Sequence, residues 1–452
     1  MPDNLMDKIV SLCKRRGFIF PDSEIYGGLA NTWDFGPLGA EMKNNIKKEW
    51  WKVMVWHRDD VVGLDSAVIV NPKVWEASGH LSSFTDPLVE CKQCHTRFRA
   101  DYLKEGKYGP VVEKEGVFYC PLCGGELTKE KKFNLMFKTY IGPAEETANI
   151  AFLRPETAQG IFINFKKVLT SSRKKIPFGI AQIGKAFRNE ITPSNFIFRT
   201  REFEQMEMEY FISPEEDKKW YDYWKEIRWK WYLSLGMKKG NLRQRPHQEK
   251  ELAHYAKEAT DIEFKFPFGW SELEGIHNRT DYDLKRHQQF SNKDLSYWDE
   301  ETRQKYIPYV IETSAGVERS LLAFLINAYT EEQDKNKETR VVLRLHPKIA
   351  PIKLAVLPLL KNNKELVQTA RDIFLKLQRQ VDYLIDYDEV GSIGRRYRRQ
   401  DEVGTPWCVT IDHQTLEDQT VTIRDRDTMK QERIKTEEII HWVEEKLCIN
   451  SL

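Results

Sequence analysis

The chain has 452 residues, enough for about three domains of ordinary size. Apolar residues make up 40% of it and charged residues 31%, which indicates a globular protein and excludes a disordered one. No apolar run approaches the ~20 residues that a membrane span needs, and the N-terminus lacks the features of a targeting signal. We therefore expect a cytoplasmic protein that does not bind a membrane. The net charge of +1 provides no overall attraction for nucleic acid, so any RNA contact must come from local basic patches.

The first strongly patterned segment follows the sequence Asp34-Phe-Gly-Pro-Leu-Gly39. Pro37 suits the first turn of a helix, because the N–H that proline lacks would have no partner there. The apolar residues at helical spacing form one stripe, made of Leu38, Met42, Ile46, Trp50 and Val53. A stripe of this kind packs either into the core of its own chain or along the seam of a dimer.

Residues 85–140 differ in composition from their surroundings, since they are rich in glycine and lysine. We interpret them as an insertion into the surrounding domain. They contain two Cys-x-x-Cys pairs, Cys91 with Cys94 and Cys120 with Cys123. Each pair can place two thiolates on one edge of a tetrahedron, so the four cysteines predict a structural Zn²⁺ site of the zinc-ribbon type. The alternatives are free thiols or a relic that has lost its metal. The layout of all seven cysteines fits reduced thiols better than a disulfide framework.

An alternating pattern over residues 180–211 predicts a β-hairpin with one polar face. Arg188 and Glu190 are expected to share the polar face of the first strand. On the second strand, alternation places Phe203, Gln205, Glu207 and Glu209 on that face and Met206, Met208 and Tyr210 on the core face. Such a face is costly to bury without a ligand, and arginine beside carboxylates can bind phosphate and ammonium groups. An ordinary solvated sheet face is the alternative, and periodicity does not separate the two.

A second polar strand face is predicted between Tyr309 and Gly316. Glu312, Ser314 and Gly316 alternate onto it, and an apolar helix follows from about Gly316. Arg319 would then lie in the first turn of that helix, beside an N-terminus that favours anions. The alternative makes Arg319 a surface cation and Glu312 an edge residue.

A domain boundary is predicted between residues 345 and 346. Beyond it, a strand at Ile352–Leu357, a helix at Lys364–Gln378 and a strand at Val381–Ile385 indicate a small α/β domain with a mostly parallel sheet. The cluster Arg395-Arg-Tyr-Arg-Arg399 could contact RNA phosphates, although such runs are more often solvated helix faces.

Several of these segments together resemble a known enzyme family. Phe187-Arg-Asn-Glu190 with Phe198-Arg-Thr-Arg-Glu-Phe203, and Gly316-Val-Glu-Arg319, are similar to the second and third signature motifs of class II aminoacyl-tRNA synthetases, and the segment at 34–39 is similar to the first. The chain resembles the homodimeric glycyl-tRNA synthetases in four further stretches: Leu153-Arg-Pro-Glu-Thr-Ala-Gln-Gly160, Trp270-Ser-Glu-Leu-Glu-Gly275, Glu312-Thr-Ser-Ala-Gly316 and Gly394-Arg-Arg-Tyr-Arg-Arg-Gln-Asp-Glu402. The match runs in order from about residue 5 to the C-terminus.

The resemblance implies an α/β (α+β) fold. A class II catalytic domain built on an antiparallel sheet would span residues 1–345, with the zinc-ribbon-like insertion at 85–140 inside it, and an α/β anticodon-binding domain would span 346–452. The implied activity is that of a glycine–tRNA ligase, which activates glycine with ATP and Mg²⁺ and transfers it to the glycine tRNA. The implied assembly is a homodimer.

The resemblance also implies roles for individual residues. Arg188 would hold the α-phosphate, Glu190 would contact the adenine amine and Phe203 would stack on adenine. Arg319 would pack on the other side of adenine or meet the γ-phosphate, which makes Arg188, Glu190 and Arg319 the catalytic candidates. The positions implied for ATP are Arg188, Asn189, Glu190, Phe198, Arg199, Thr200, Arg201, Glu202, Phe203, Leu273, Glu274, Gly316, Val317, Glu318 and Arg319.

For glycine, the resemblance implies a ring of carboxylates around the ammonium group, with Arg99 reaching in from the insertion. The implied positions are Arg99, Glu156, Phe203, Glu204, Gln205, Met206, Glu207, Glu312, Thr313, Ser314, Ala315 and Gly316. Thr313 stands where many relatives carry proline. Two rivals are an inactive synthetase-like protein that only binds nucleic acid and a sister synthetase for threonine, proline or histidine. The presence of the catalytic candidates argues against the first, and the acidic pocket residues argue against the second.

Overall fold

The computed structural model describes residues 5–106, 108–109, 113–114, 117–143, 149–191, 195–333 and 339–448. The helices within these ranges are α1 Leu5–Arg16, α2 Pro37–Trp51, α3 Lys73–Ala77, α4 His80–Ser83, α5 Ala100–Lys104, α6 Ala158–Ser172, α7 Asp217–Ser234, α8 Tyr282–Ser291, α9 Val317–Ala328, α10 Lys364–Gln378, α11 Ile393–Val403, α12 His413–Asp418 and α13 Ile439–Cys448. None of these helices is both long enough and apolar enough to cross a membrane.

The strands are short at the edges of the molecule and long at its centre. They are β1 Ile19–Pro21, β2 Trp33–Phe35, β3 Val61–Gly63, β4 Thr85–Glu90, β5 Arg97–Arg99, β6 Glu113–Lys114, β7 Val117–Phe118, β8 Lys131–Asn134, β9 Lys138–Tyr140, β10 Ile150–Phe152, β11 Phe178–Phe187, β12 Glu202–Ile212, β13 Leu242–Pro246, β14 Glu258–Phe266, β15 Gly269–Thr280, β16 Tyr297–Asp299, β17 Gln304–Tyr306, β18 Tyr309–Gly316, β19 Tyr329–Gln333, β20 Thr339–Leu343, β21 Leu354–Pro358, β22 Ile385–Tyr387, β23 Trp407–Ile411, β24 Thr420–Asp425 and β25 Gln431–Lys435.

The centre of the molecule is a seven-stranded sheet in the order β13-β14-β15-β18-β12-β11-β3. Neighbouring strands pair antiparallel except β11 and β3, which run parallel. The antiparallel sheet expected from the sequence is confirmed, and so is the hairpin of β11 and β12, in which Gln182 pairs with Glu207.

The two faces of this sheet differ as strand alternation predicts. Met206, Met208 and Tyr210 lie on the back face, where they are fully buried in the largest apolar core together with residues of α2, α7 and α9. Tyr210, for example, packs edge-on against Trp224 of α7, with the ring centroids 5.1 Å apart. The front face carries the alternating polar residues of β12 and β18.

Helix α2 begins at Pro37, as predicted, and continues into a π-helical turn over Lys52–Trp56. Met42, Ile46 and Trp50 are fully buried in the core of their own chain. The core interpretation of the apolar stripe therefore holds for these three residues, whereas Leu38 and Val53 pack against the same core but are only partly buried.

The cysteine-bearing segment forms a small unit of its own. Strands β5, β4 and β8 make a three-stranded sheet, and Val89, Phe98, Leu103 and Leu127 belong to a separate apolar cluster beside the cysteines. Within the predicted insertion at 85–140, residues 107, 110–112 and 115–116 lie outside the described residues.

The C-terminal sheet has five strands in the order β22-β21-β23-β24-β25. Strand β21 pairs parallel with β22 and β23, whereas β24 and β25 add antiparallel, so the sheet is only half parallel and not mostly parallel as expected. Helix α10 has the predicted bounds. The strand predicted at Val381–Ile385 forms only from Ile385 onward, because pairing with β21 starts where Ile385 meets Leu354. Residues 449–452, at the end of the predicted domain, lie outside the described residues.

The arginine cluster at 395–399 lies on helix α11 and is not uniformly a surface for RNA. Arg396 is buried and donates hydrogen bonds to the carbonyl oxygens of Pro358 and Gly391. Arg399 pairs with Asp388 at 2.6 Å. Both side chains thus hold the helix to its own domain.

Candidate active site

A cavity of about 270 Å³ opens on the front face of the seven-stranded sheet. It is lined by β12, β14, β15 and β18, by the loop that follows β11 and by the start of α9. Of the residues expected to bind ATP or glycine, it brings together Glu156, Arg188, Glu190, Phe198, Arg199, Thr200, Phe203, Gln205, Glu207, Glu312, Ser314, Gly316, Glu318 and Arg319. The sequence motifs therefore converge on one pocket.

Arginines and aromatic rings dominate one end of the pocket. The guanidinium of Arg188 lies 5.3 Å from the ring centroid of Phe203, and its Nε donates to the carbonyl oxygen of Pro155 at 3.0 Å. The guanidinium of Arg319 lies 4.6 Å from the ring of Phe198. Two cations and two aromatic rings in the pocket lining can bind a nucleotide by its phosphates and its base.

The expectation that Arg188 and Glu190 lie on a strand face is wrong, because β11 ends at Phe187. Arg188 makes one more backbone bond toward β12, from its N–H to the carbonyl oxygen of Arg201 at 2.8 Å. The N–H of Asn189 then donates to Leu135 at 2.7 Å, which draws the backbone out of the sheet. Both side chains reach the pocket from a loop, and residues 192–194 of that loop lie outside the described residues.

Glu272 was not predicted and lies beside Arg319. Its carboxylate oxygen is 3.2 Å from Nη1 of Arg319. The attraction of Arg319 holds the pKa of Glu272 below its usual range, and the side chain of Glu272 is half exposed. Glu272 is therefore a charged carboxylate next to a cation at the arginine-rich end.

The other end of the pocket is acidic. Glu156, Glu207 and Glu312 converge there, each from a different element. Glu207 accepts a hydrogen bond from the hydroxyl of Thr157, and Gln205 bridges between the N–H of Thr157 and the hydroxyl of Ser314. These bonds fix the polar groups at this end of the cavity.

The three carboxylates differ in the basic side chains that lie beside them. Glu156 has His80 at 3.3 Å, and Glu312 has Arg279 at 2.6 Å and His277 at 3.5 Å. Burial raises the pKa of both groups, but these partners outweigh it and hold both values well below the usual range.

Glu207 has no such ion pair among the described residues. Burial, followed by repulsion from Glu312 and Glu156, raises the pKa of Glu207 to about 7. The acidic end therefore has one carboxylate whose charge a bound cation would have to balance.

Arg279 is the main residue that the sequence did not reveal. It lies on β15, is buried, and donates to Asp283 of α8 at 2.8 and 2.9 Å as well as to Glu312. Gln159 of α6 extends this network, because its amide donates to Glu156 and to Asp283, both at 3.0 Å. The pocket lining also includes the unpredicted Ile197, His247, Tyr255, Asp261, Gly275 and His277. Ile197 and Gly275 lie next to or within the motif segments, whereas no local signal marks His247, Tyr255, Asp261 and His277.

Leu273 and Glu274 do not line the pocket, contrary to the expectation from family position. The register of β14 and β15 shifts there, with Glu263 opposite Glu272 and Ile262 opposite Glu274, so Leu273 is an extra residue in a β-bulge. Leu273 enters the apolar core, and Glu274 is buried on the back face against Arg228, at 2.5 and 3.1 Å. The bulge presents Glu272 and Gly275 to the pocket in their place.

Other expected positions lie behind the pocket because alternate strand residues face the core. Met206, Ala315 and Val317 belong to that core, and Thr313 is fully buried outside the pocket lining. Glu204 pairs with Lys43 at 2.8 Å, on the side of α2. Among these residues, only backbone atoms could contact a ligand.

Three positions of the second motif also lie outside the cavity. Asn189 bonds to Leu135 through its backbone, as described above. The side chain of Arg201 donates to the carbonyl oxygen of Ala30 at 2.8 Å. Glu202 is exposed and pairs with Lys185.

Arg99 lies on β5 and is not part of the pocket lining. It pairs with Asp86 at 2.8 Å and with Asp101 at 2.7 Å. Asp86 in turn lies near enough to Glu190 and Arg199 for their charges to act on its pKa, which burial raises. The insertion therefore approaches the arginine-rich end and not the acidic end that Arg99 was expected to reach.

The four cysteines of the insertion converge. The sulfur atoms of Cys91 and Cys123 are 3.4 Å apart and those of Cys94 and Cys120 are 3.7 Å apart, with all four within 4.8 Å of one another. The N–H groups of Gln93 and Cys94 point at the sulfur of Cys91, both at 3.4 Å. These residues fit a tetrahedral four-thiolate metal site.

Comparison with known proteins agrees with this geometry. Residues 139–328 match the class II tRNA synthetase core domain of the G, H, P, S and T group, and residues 353–446 match an anticodon binding domain. A glycine–tRNA ligase of Caldanaerobacter subterraneus is 57% identical over 98% of this chain and 98% of its own length. Glycine–tRNA ligases of Alkaliphilus oremlandii and Thermobifida fusca are each 55% identical over 98% of this chain, covering 99% and 98% of their own lengths. The chain belongs to the glycine–tRNA ligase family. In this family of class II synthetases, the pocket on the antiparallel sheet is the candidate active site, and both the resemblance and the fold class inferred from the sequence are confirmed.

Proposed function

We propose that the chain is an ATP-dependent glycine–tRNA ligase whose active site is the pocket on the seven-stranded sheet. The observation that carries this proposal is the polarity of the pocket, with Arg188 and Arg319 at one end and the unpaired Glu207 at the other. A nucleotide with its phosphates at the first end and an amino acid with its ammonium at the second would meet in between. Mg²⁺ carried with ATP would neutralise phosphate charge, and Glu272, a carboxylate of the pocket lining at the arginine-rich end, would be available to hold it.

The reaction on this geometry needs no side-chain nucleophile. A carboxylate oxygen of glycine attacks the α-phosphorus, the bond to the pyrophosphate oxygen breaks, and glycyl-adenylate forms. A terminal ribose hydroxyl of the tRNA then attacks the acyl carbon, loses its proton and displaces AMP. Arg188 stabilises the charge that develops on the phosphate, and the pocket contributes mainly by positioning.

Glycine has no side chain to contact, so its charges are what the pocket can bind. Glu207 supplies the negative charge for the ammonium, and larger amino acids are excluded by lack of space, a discrimination that can exceed the ~1–3 kcal/mol of a favourable methylene contact. The rival interpretation is an inactive protein that only binds nucleic acid. It does not explain why Arg188, Arg319 and Glu207 converge on one pocket.

The further partners follow from the same proposal. The C-terminal domain, from residue 346 onward, would bind the glycine tRNA, while residues 1–345 would carry the reaction. None of the seven cysteines, all of which lie in the described part of the chain, forms a disulfide bond, which fits the reducing cytoplasm where tRNA is charged.

We predict that Arg188→Ala abolishes glycine activation. Loss of the cation that stabilises the reacting phosphate is expected to lower the rate of glycine-dependent pyrophosphate exchange by at least ~100-fold. Glu202→Gln is the matched control, because Glu202 belongs to the same motif but pairs with Lys185 at the surface. Its exchange rate should stay within about twofold of the parent. Equal rates in the two variants would contradict the assignment.

We also predict that the KM for glycine depends on pH through Glu207. Its pKa is raised to about 7 in the free pocket, so the proton competes with the ammonium group below that pH. The KM for glycine should rise by up to ~10-fold per pH unit as the pH falls below 7, while the KM for ATP changes little. In Glu207→Gln, the KM should be high at every pH. A parent KM that is flat between about pH 5.5 and 8 would refute the role of Glu207.

A structural Zn²⁺ ion is proposed for the four-cysteine cluster. Four thiolate ligands leave no open position for substrate, so the metal would stabilise the insertion and take no part in the reaction. Elemental analysis should find one zinc per chain in the parent and a loss of it in Cys120→Ser. Cys408→Ser is the control, since Cys408 is buried in the C-terminal domain far along the chain from the cluster. Equal zinc content in Cys120→Ser and Cys408→Ser would contradict the proposal.

A homodimer is proposed from family membership and from exposed apolar side chains near the N-terminus. Ile25 and Tyr26 are 88% and 87% exposed in the single chain. Ile25→Glu should weaken association in sedimentation at micromolar protein, because a charge would be buried at the contact. Met429→Glu, at an exposed site of the C-terminal domain, should leave association unchanged. If the parent protein sediments as a monomer and is active in that state, the proposed dimer is wrong.

A further inference from the structure

Glu209 is a buried carboxyl group that the proposed reaction does not use. It lies on the front face of β12, two residues beyond Glu207, and is completely buried. Neither of its oxygens has a hydrogen-bond partner among the described residues. Carboxylate oxygens of Glu207, Glu209 and Glu312 lie within 4.8 Å of one another. Glu209 therefore lies directly behind the acidic end of the pocket, beside Glu207 and Glu312 but outside the pocket lining.

The surroundings of Glu209 disfavour a negative charge. On the neighbouring strands it faces Ile180 and Glu312, and the next residue on its own face, Phe211, packs against Phe165 with the ring centroids 4.4 Å apart. The charges that act on it come from Glu312, Arg279, Glu207 and Asp283.

Arg279 is the one cation in that set, and Asp283 and Glu312 already engage it. Burial, followed by repulsion from Glu312, raises the pKa of Glu209 well above its usual range. An unpaired carboxylate in such a place would cost several kcal/mol.

We propose that Glu209 carries a proton at neutral pH and acts as a positioning residue for Glu207, to which its carboxyl O–H donates a hydrogen bond. Glu207 is the acceptor because Arg279 and His277 already engage the carboxylate of Glu312. The terminal torsion of glutamate is soft, so a rotation can aim the O–H at Glu207. The bond stabilises the carboxylate form of Glu207 that binds the ammonium group. This inference rests on the proposed glycine pocket.

The protonation state is tested without reference to activity. At about pH 8, where Glu207 is ionised, the infrared spectrum of the parent should contain a buried protonated-carboxyl band that disappears in Glu209→Gln. The same substitution should leave the unfolding temperature unchanged or higher, because it removes no ion pair.

Glu274→Gln is the matched control for stability. Glu274 is equally buried in the same sheet, but Arg228 holds it through two hydrogen bonds. Its substitution should lower the unfolding temperature, since it leaves a buried arginine without its counter-charge. If Glu209→Gln lost no carboxyl band, or lowered the unfolding temperature as much as Glu274→Gln, Glu209 would be ionised and the proposal would be overturned.

The positioning role is tested by kinetics. Glu209→Gln keeps a donor and should leave the KM for glycine within about twofold. Glu209→Leu removes the donor and should raise that KM about 10-fold, with the KM for ATP unchanged and the pH dependence of the glycine KM shifted upward. Equal KM values for glycine in the two variants would contradict the proposed hydrogen bond. If the chain activates another amino acid, the infrared and unfolding results still decide the protonation state of Glu209.

Discussion

The site depends on one constraint, which is the register of the central sheet between an apolar core and a polar pocket. Met206 and Met208 are fully buried on the back of β12, and this places Phe203 and Glu207 on the front. Because the side-chain period of a strand is two residues, a slip of one residue would turn the methionines into the pocket and the glutamates into the core. The apolar packing of α7 and α9 thus specifies the chemistry of the opposite face.

The carboxylates of the pocket differ in whether a basic side chain lies beside them. Glu312 is held by Arg279 and Glu156 faces His80, so both are charged before any ligand arrives. Among the described residues no cation pairs with Glu207, and burial, followed by repulsion from Glu312 and Glu156, raises its pKa to about 7. In the proposed glycine pocket, an ammonium group would balance the charge of Glu207. The pocket would therefore recognise glycine by the charge of its ammonium group, because glycine has no side chain that the pocket could contact.

Sequence reasoning could identify strands β11, β12 and β18 and the helix after Gly316 from patterns within short windows, and the resemblance to a family indicated the motif residues of the pocket. It failed where backbone irregularity intervened. The bulge at Leu273 replaced the expected Glu274 by Glu272, and the early end of β11 moved Arg188 into a loop. It also missed Arg279, since nothing in its local sequence reveals that β15 will lie beside β18.

Strand β15 contributes to two buried ion pairs, one on each face of the sheet. Glu274 joins Arg228 of α7 on the back face, and Arg279 joins Glu312 on the front. Apolar residues of similar volume often replace a buried pair without loss of stability, so stability alone does not explain either pair. On the front face an apolar replacement would remove the group that keeps Glu312 charged and fixed. On the back face it would remove nothing that the pocket uses, so the proposed chemistry accounts for the pair of Arg279 and Glu312 but not for the pair of Arg228 and Glu274.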